Sequence, residues 1–254
     1  MVKEKINELV AKYGSPLYVF QKEEFVKNYL HFEKCFKNLY PKYQLAYSYK
    51  TNYTPVICEI VKQLGGYAEV VSDMEYNVAK RLGYDNEKII YNGPYKTELS
   101  IEHLLAGGIL NIDNIEEVKK VCVVAEAHTE KQLKVGIRVN INIGQCFISR
   151  FGIDSDNSDL DLAFYLLKES GVKVEGLHCH IGQSRTIQAW KNRAEVMLTL
   201  ADKYFPAEPP KYLNLGSGMF AVMKPSLAEQ FGDNIPSFEQ YAAAVAIPFA
   251  EHYA

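Results

Sequence analysis

The chain alternates short apolar runs with amphipathic helical stretches, and this alternation limits the folds that it can adopt. Seven apolar runs have the length of buried strands, and a helical pattern follows each of them: 45–48, 67–71, 88–91, 109–112, 134–140, 172–178 and 211–214. Such an alternation predicts a parallel sheet with right-handed crossovers. An open doubly wound sheet and a (β/α)₈ barrel both satisfy the pattern.

A closed barrel needs eight strands, and one further apolar run precedes the seven. Residues 16–20, Pro-Leu-Tyr-Val-Phe, predict an early strand, and a helical pattern follows near 23–37. This strand is either the eighth of the barrel or part of a strand–helix extension over residues 1–40, with the eighth strand missing. Near the other end, Ser237 and Gln240 have the spacing of a capping box, which predicts the start of the last helix.

Composition argues against several classes of function. The net charge is −3 and no basic stripe is present, so nucleic acid is not an expected partner. No apolar run approaches the roughly 18 residues that span a membrane, and the first residues do not resemble a signal peptide. The five cysteines are scattered and include no CxxC pair. They predict neither a zinc site nor a disulfide framework, and they favour a reducing cytoplasm.

Lys50 lies where the first predicted barrel strand ends and a helical pattern begins. In alternating β/α chains, the carboxyl ends of the strands line the active-site face. A desolvated lysine at that face can lose its proton and attack a carbonyl to form a Schiff base. The alternative is a solvated lysine that ends a strand.

Two histidines mark the end of the sixth predicted strand. His178 and His180 are two residues apart, so on a strand they point to the same face. An HxH pair is also half of a metal site, but no third ligand is visible in the sequence and no metal is expected. The remaining alternatives are a histidine packed in the core and an aromatic ring that lies on a flat cofactor.

A Gly-Ser-Gly loop, Gly216 to Gly218, follows the seventh predicted strand. Closely spaced glycines let backbone N–H groups converge on an anion, and barrels commonly bind phosphate in the loops after late strands. An amine, a histidine and a phosphate cradle at strand ends together suit pyridoxal 5′-phosphate (PLP), whose aldehyde needs a lysine and whose phosphate needs N–H donors.

Five segments, in this order, resemble those of the fold-type III PLP-dependent decarboxylases, above all diaminopimelate and ornithine decarboxylases. They are Ala-Tyr-Ser-Tyr-Lys-Thr-Asn (46–52), Ala-Glu-Val-Val-Ser (68–72), Ser-Arg-Phe-Gly-Ile (149–153), His-Cys-His-Ile-Gly (178–182) and Leu-Asn-Leu-Gly-Ser-Gly (213–218). The resemblance implies that residues 1–254 form a PLP-binding barrel of the alanine racemase and ornithine decarboxylase type. It also implies that this barrel stops before its last strand and lacks the family's C-terminal β-domain.

The resemblance implies roles for eight residues around PLP. Lys50 would hold the cofactor as a Schiff base, and His180 would stack on the pyridine ring. The phosphate would be bound by Gly216, Ser217 and Gly218, with help from Ser184, and Glu69 and Arg138 would lie near the cofactor. For Glu69 and Arg138 the alternative is a buried structural ion pair.

The sequence also departs from the family. Asn214 stands where the family usually has aspartate, Ser217 replaces a glycine, and Gln183 and Ser184 invert the usual Ser-Gln order. The Glu-Pro-Gly-Arg segment of the family's eighth strand does not occur. We therefore expect a homodimeric amino-acid decarboxylase, acting on a diaminopimelate-like or basic amino acid, that is catalytically incomplete as this chain. An amino-acid racemase and a non-catalytic, regulatory PLP-binding barrel are the alternatives.

Overall fold

A parallel sheet of short strands forms the centre of the molecule. The computed structural model describes residues 3–144, 149–182, 184–232 and 235–254. Its strands are β1 (Ala46–Ser48), β2 (Tyr67–Val70), β3 (Ile89–Tyr91), β4 (Ile109–Ile112), β5 (Lys134–Asn140), β6 (Ile153–Asp154), β7 (Lys173–His178) and β8 (Tyr212–Asn214). Seven of them pair in the order β1-β2-β3-β4-β5-β7-β8, and β6 pairs with the end of β5. The seven predicted strands are confirmed, whereas β6 was not predicted.

Helices follow the strands and cover the outside of the sheet. They are α1 (Lys3–Tyr13), α2 (Lys22–Lys37), α3 (Pro55–Gln63), α4 (Asp73–Arg81), α5 (Glu98–Leu105), α6 (Ile115–Ala127), α7 (Asp159–Glu169), α8 (Ile187–Tyr204), α9 (Pro225–Ala228) and α10 (Phe238–His252). Short 3₁₀ turns occupy Asn86–Lys88 and Glu229–Phe231. In the described part of the chain, none of the helices combines the length and the apolar character needed to cross a membrane.

Side-chain caps fix the points at which several helices begin. The N-cap side chains accept a hydrogen bond from a backbone N–H of the first turn in α4, α5, α6, α8 and α10. At α10, the Ser237 side chain accepts from the Gln240 N–H and the Gln240 side chain accepts from the Ser237 N–H, so the predicted capping box is confirmed. In α4 and α6 the N-cap comes two residues after the end of the preceding strand, so the loops after β2 and β4 are short.

The segment 16–20 has no regular secondary structure and does not join the sheet, so the prediction of an early strand was wrong. A helix, α1, precedes it and α2 follows it. Tyr18, Val19 and Phe20 are exposed, which means that this apolar run packs against too little of the protein to form a core strand. The described part of the predicted strand–helix extension, residues 3–40, is therefore a helix, an irregular linker and a second helix.

The sheet curls as a barrel does, and one contact across its concave face shows this. The hydroxyl of Tyr212 on β8 donates to Oδ1 of Asn111 on β4 over 2.7 Å, although these strands are not neighbours in the sheet. A side chain on Gly136 of β5 would collide with both groups, so glycine leaves the space for this contact. A flat, doubly wound sheet would not bring these strands together, and the barrel prediction is confirmed.

Among the described residues, β1 and β8 are the two edges of the curled sheet. A cavity of about 1440 Å³ lies along these edges, lined in part by α2 and α10. The cavity reaches the loop after β8, at the end of the barrel where the predicted site residues lie.

Candidate functional site

Strand register places several predicted site residues in rows at the carboxyl ends of the strands. Arg138 on β5 pairs with His178 on β7, which in turn pairs with Asn214 on β8. Side chains at paired positions of a parallel sheet point to the same face, so these three line one wall of the site. On the other side of the opening, Ser48 on β1 pairs with Glu69 on β2.

Lys50 lies two residues beyond β1 in a short turn whose neighbours are held in place. The preceding residue, Tyr49, is fully buried, and its N–H donates to the carbonyl of Glu69 over 2.9 Å. The hydroxyl of Thr51 donates to the carbonyl of Ser48 over 2.7 Å. The Lys50 side chain itself is exposed, and its charge is felt by the imidazoles of the β7 loop. These hydrogen bonds therefore fix the backbone of Lys50, while its exposed side chain can reach a ligand.

Both histidines of the β7 loop stay neutral at physiological pH. Burial lowers the pKa of His178 to about 3, helped by the charge of Arg138. Burial also lowers the pKa of His180 to about 4, and the positive charges of Lys50, Arg138 and Arg193 add to that effect. His178 is the last residue of β7 and is buried, whereas His180 is partly exposed in the loop. His180 is therefore the imidazole that a cofactor can reach.

His180 is oriented by the loop after β8. The backbone N–H of Ser217 donates to Nδ1 of His180 over 3.2 Å. A nitrogen that accepts a hydrogen bond carries no proton, so this contact places the proton of the neutral ring on Nε2. The ring thus has a fixed tautomer and a fixed position.

The loop over residues 216–218 comes close to the β7 loop and requires glycine where it does so. Gly216 has a φ of +70°, and a Cβ there would collide with the carbonyl oxygen of Cys179. Gly218 has a φ of +114°, which also favours glycine. The N–H of Gly216 donates to Oδ1 of Asn214 over 2.9 Å. Two N–H groups of this loop, those of Gly216 and Ser217, thus have protein partners that an anion would share or replace.

A buried arginine on α8 ties the two loops together. Arg193 has no exposed surface, and its guanidinium donates to the carbonyls of Ile181, Leu215 and Ser217 over 2.9, 2.9 and 3.2 Å. Its guanidinium carbon lies 3.9 Å from the centre of the Trp190 ring. Charged donors make stronger hydrogen bonds than neutral ones. Arg193 therefore fixes the loop after β7 and the loop after β8 relative to α8.

A buried tyrosine on α10 connects the same loops a second time. The hydroxyl of Tyr241 donates to the carbonyl of Arg185 over 2.6 Å and accepts from the N–H of Phe220 over 3.3 Å. Arg185 follows the β7 loop and Phe220 follows the β8 loop. The relative position of these loops is therefore set by two helices, α8 and α10.

Arg138 and Glu69 are both buried, but they do not pair with each other. Arg138 donates to Oδ1 of Asp113 over 3.0 Å. Glu69 accepts from the side chain of Asn92 over 3.1 Å, and Asn92 in turn accepts from Asn111 over 2.5 Å. The alternative of a structural ion pair thus holds for Arg138 with Asp113. Glu69 belongs to a polar chain across the strands.

A buried carboxylate, Glu117 on α6, supports the partner of Arg138. It accepts from the N–H of Asp113 over 2.8 Å and from Nζ of Lys96 over 3.1 Å. Burial raises the pKa of Glu117 and lowers that of Lys96, and their mutual attraction opposes both changes. The four residues Arg138, Asp113, Glu117 and Lys96 are all buried, and their contacts fix the position of Arg138.

The arrangement of these residues fits PLP on three sides. Lys50 offers an amine at one strand end, and His180 offers a neutral aromatic ring with a fixed orientation. The loop over residues 216–218 has glycines with positive φ at both ends and lies against the β7 loop, where a Cβ on Gly216 would collide with Cys179. Ser184 is buried in the same β7 loop. In the part of the chain that the structure describes, no cluster of three metal-ligating side chains includes either histidine of the HxH pair.

Sequence reasoning missed three residues that shape this site. Arg193 and Tyr241 lie inside helical patterns, and Asp113 follows an apolar run. The partners of their side chains are between 12 and 56 positions away along the chain. One signal was available for Arg193, because arginine is almost never placed on the buried stripe of a helix without a partner.

The chain is similar in sequence to known proteins over most of its length. The model of the family described as pyridoxal-dependent decarboxylase, pyridoxal binding domain, matches residues 23–249. Diaminopimelate decarboxylase of Aquifex aeolicus is 29% identical over 236 residues, which are 87% of this chain and 54% of that protein. The enzyme of the same name from Methanocaldococcus jannaschii is 28% identical over 235 residues, 84% of this chain and 52% of that protein.

The chain is also similar to solved structures over almost its whole length. Diaminopimelate decarboxylase of M. jannaschii, solved in complex with L-lysine, superposes with a TM-score of 0.82 at 26% identity. The match covers 97% of this chain and 59% of that one. Lysine decarboxylase of Selenomonas ruminantium has a TM-score of 0.76 at 20% identity, over 98% of this chain and 62% of that one, and shows the shared fold. The chain thus spans about half the length of the curated relatives that it matches.

Proposed function

This chain belongs to the pyridoxal-dependent decarboxylase family, whose pyridoxal binding domain it matches, and we propose that it serves the decarboxylation of a diaminopimelate-like or other basic amino acid. Its cofactor is PLP. The substrate class rests on the names of the relatives, which are diaminopimelate decarboxylases, and on the lysine bound in one neighbour. The observation that carries the proposal is the neutral His180 held by Ser217 beside the strand end that bears Lys50.

We assign each side chain a task from its geometry. Bound PLP supplies an electron sink that stabilises the negative charge left behind when a carboxylate leaves as CO₂. The amine of Lys50 would hold the cofactor at its aldehyde, and it would also be the group that carries a proton close to the reacting carbon. Lys50 is suited to this because its backbone is fixed while its side chain is exposed.

His180 and the β8 loop would position the cofactor. A neutral imidazole covers an aromatic ring without the cost of desolvating a charge, and the low pKa of His180 keeps it neutral. The N–H groups of Gly216, Ser217 and Gly218 would bind the phosphate, and Ser184 would add a hydroxyl. Arg193 and Tyr241 keep the two loops at the separation that this binding needs.

Glu69 and Arg138 would act on the cofactor through their fixed charges. Arg138 is held by Asp113, and Glu69 is held by Asn92. Both are buried at the carboxyl ends of their strands, where a charge acts at short range with little screening. Each would therefore influence the ring without moving when the cofactor binds.

The proposal is tested by titrating the chain with PLP and reducing the complex with borohydride. We expect the visible absorption of an imine and, after digestion, a single labelled peptide that contains Lys50. The Lys50→Arg variant should lose the label, whereas Lys191→Arg, an exposed lysine on α8, should keep it. A label on a peptide without Lys50 would contradict the assignment.

Turnover is measured separately as CO₂ released from diaminopimelate, lysine or ornithine. Release of CO₂ that requires PLP and Lys50 supports a decarboxylase. Inversion at the α-carbon without CO₂ would identify a racemase instead, and PLP binding without either reaction would identify a non-catalytic barrel. The same measurement on a longer chain that includes the family's Glu-Pro-Gly-Arg strand shows whether the 254-residue chain is catalytically incomplete.

A further inference from the structure

Three side chains with metal-ligating atoms meet where α2 packs against α10, and none of them is among the residues of the candidate active site. They are His31 and Cys35 on α2 and Glu239 in the first turn of α10. One atom of each, an imidazole nitrogen, the thiol sulfur and a carboxylate oxygen, lies within 4.8 Å of the other two. Among the described residues, this is the one group of three His, Cys, Asp or Glu side chains that converges in this way.

The spacing of the three residues suits a metal ion. His31 and Cys35 are four residues apart, so they lie on one face of α2, one turn apart. Nε2 of His31 is 2.7 Å from Oε1 of Glu239, and Sγ of Cys35 is 3.6 Å from the same oxygen. Tetrahedral Zn²⁺ with bonds of about 2.0 Å to nitrogen and oxygen and about 2.3 Å to sulfur holds its nitrogen and oxygen ligand atoms about 3.3 Å apart and its oxygen and sulfur atoms about 3.5 Å apart. The separation of Cys35 from Glu239 therefore fits already, and His31 would move away from Glu239 by about 0.6 Å.

The backbone that carries the ligands is fixed by aromatic packing. Phe238, next to Glu239, lies with its ring centre 5.5 Å from that of His31 and 4.9 Å from that of Phe32. The capping box of Ser237 and Gln240 holds the first turn of α10. An ion could therefore bind by small side-chain shifts, without moving either helix.

An ion bound here would take the place of the hydrogen bonds that His31 and Cys35 make with Oε1 of Glu239. Cys35 would bind the ion as the thiolate, so its thiol proton would have to leave.

We propose that His31, Cys35 and Glu239 form a binding site for Zn²⁺ or a similar transition-metal ion that links α2 to α10. The protein supplies one nitrogen, one sulfur and one oxygen, and water takes the fourth position, because all three residues are partly or fully exposed. Binding releases the thiol proton of Cys35 to solvent. Since α2 and α10 both line the cavity between β1 and β8, the ion fixes the wall of that cavity.

The spacing of these three residues in the sequence does not indicate a metal site. The cysteine count and the lack of a CxxC pair argue against zinc, and Glu239 lies 204 positions from Cys35. Only the packing of the first long helix against the last one brings the three together.

The site is tested with Co²⁺, which substitutes for Zn²⁺ and is visible by absorption. We expect the 254-residue chain to show d–d bands of a tetrahedral ion and a thiolate-to-cobalt charge-transfer band. Cys35→Ser should abolish the charge-transfer band. His31→Gln and Glu239→Gln should each weaken Zn²⁺ binding at least about ten-fold in a chelator competition, since even outer partners of metal ligands contribute that much.

A second histidine–carboxylate pair on the surface provides the matched control. Nε2 of His252 lies 2.9 Å from Oδ1 of Asp202, on α10 and α8, but that pair includes no cysteine. His252→Gln should leave both the Co²⁺ spectrum and the Zn²⁺ affinity unchanged. Zn²⁺ should raise the melting temperature of the wild-type chain but not that of Cys35→Ser, because binding to the folded state alone stabilises it.

Two results would overturn the proposal. One is Co²⁺ binding without a charge-transfer band, which would mean that Cys35 does not ligate. The other is unchanged Zn²⁺ affinity in both Cys35→Ser and Glu239→Gln. Zn²⁺ affinity should also rise with pH in the wild-type chain, because the thiol must lose its proton, and the rise should be smaller in Cys35→Ser.

Discussion

The backbone N–H of Ser217 and Nδ1 of His180 share a hydrogen bond of 3.2 Å, so the loop after β8 orients the ring after β7. Two properties of His180 can therefore be separated by mutation, its flat ring and its acceptor nitrogen. Phenylalanine keeps the ring without the acceptor, and asparagine keeps an acceptor without the ring.

We expect His180→Asn to weaken PLP binding by about 1–2 kcal/mol, the order of an aromatic contact. His180→Phe keeps the ring and should weaken PLP binding less than His180→Asn does, but it should lower the free energy of unfolding of the free chain by about 0.5–1.5 kcal/mol, because the Ser217 N–H loses its partner. Isothermal titration with PLP measures the binding, and urea denaturation measures the unfolding. A larger loss in His178→Ala than in either His180 variant would show that His178 is the residue that contacts the ring.

Substitutions at Gly216 should distinguish phosphate binding from general strain. Gly171 has the same φ of +70°, but a Cβ there meets nothing within 4 Å, so it is a matched control. Gly171→Ala should lower the free energy of unfolding by about 1–2 kcal/mol, the cost of the left-handed conformation. Gly216→Ala should lower it further, because its Cβ collides with Cys179.

The same Gly216→Ala variant should lose affinity for PLP while keeping most of its affinity for pyridoxal, which has no phosphate. Binding of the two ligands is compared by absorbance titration. Equal losses for both would mean that the variant has disturbed the whole site, and the loop would not be a specific phosphate cradle.

Removal of the Arg193 guanidinium should loosen both loops at once. Arg193→Met leaves three carbonyls, those of Ile181, Leu215 and Ser217, without this donor. We expect a loss of about 2–4 kcal/mol in the free energy of unfolding, because buried groups without partners cost roughly 1–3 kcal/mol each and part is regained by water. Arg185→Met, which removes an exposed arginine, should change stability little. Urea denaturation of both variants checks this.

The buried imidazoles should make the fold sensitive to acid. The pKa values of His178 and His180 are lowered from 6.5 to about 3 and 4, so between pH 6.5 and 4 the unfolded chain binds protons that the folded chain does not. Their contribution to stability is complete above pH 6.5 and is lost as the pH falls. Each contributes a slope of about 1.4 kcal/mol per pH unit in that interval.

Urea denaturation at several pH values measures this slope. His178→Asn removes one titrating group, and its slope between pH 6.5 and 4 should be smaller even though its stability at pH 7 is lower. An unchanged slope would mean that other groups cause the acid sensitivity.

The edges of the sheet should promote self-association. The edge strands β1 and β8 carry backbone groups that another strand can pair with, and the apolar cavity lies beside them. We predict that the 254-residue chain forms dimers or larger species at micromolar concentration. Sedimentation velocity over a range of concentrations tests this, and a monodisperse monomer throughout would contradict it.

Sequence patterns predicted the strands because each is a short apolar run with a helical pattern behind it. They misjudged residues 16–20 because an apolar run alone does not show whether a neighbouring strand exists to pair with it. The positions of Lys50, His180 and Gly216 just after strand ends could be predicted because each follows a short apolar run, and their roles around PLP stay a prediction. Arg193 could not be placed, because its role depends on which loops pack behind α8.

The contact between Tyr212 and Asn111 has a consequence for how this protein folds. The two residues are 101 positions apart, so the chain must complete nearly half its length between them before the hydroxyl reaches the amide. Contacts of such long range form slowly, because loop-closure entropy is lost before they contribute stability. The Gly-Ser-Gly loop directly follows β8, which carries Tyr212. The capacity to bind PLP should therefore emerge last during refolding, in the slowest kinetic phase, well after the helices have formed.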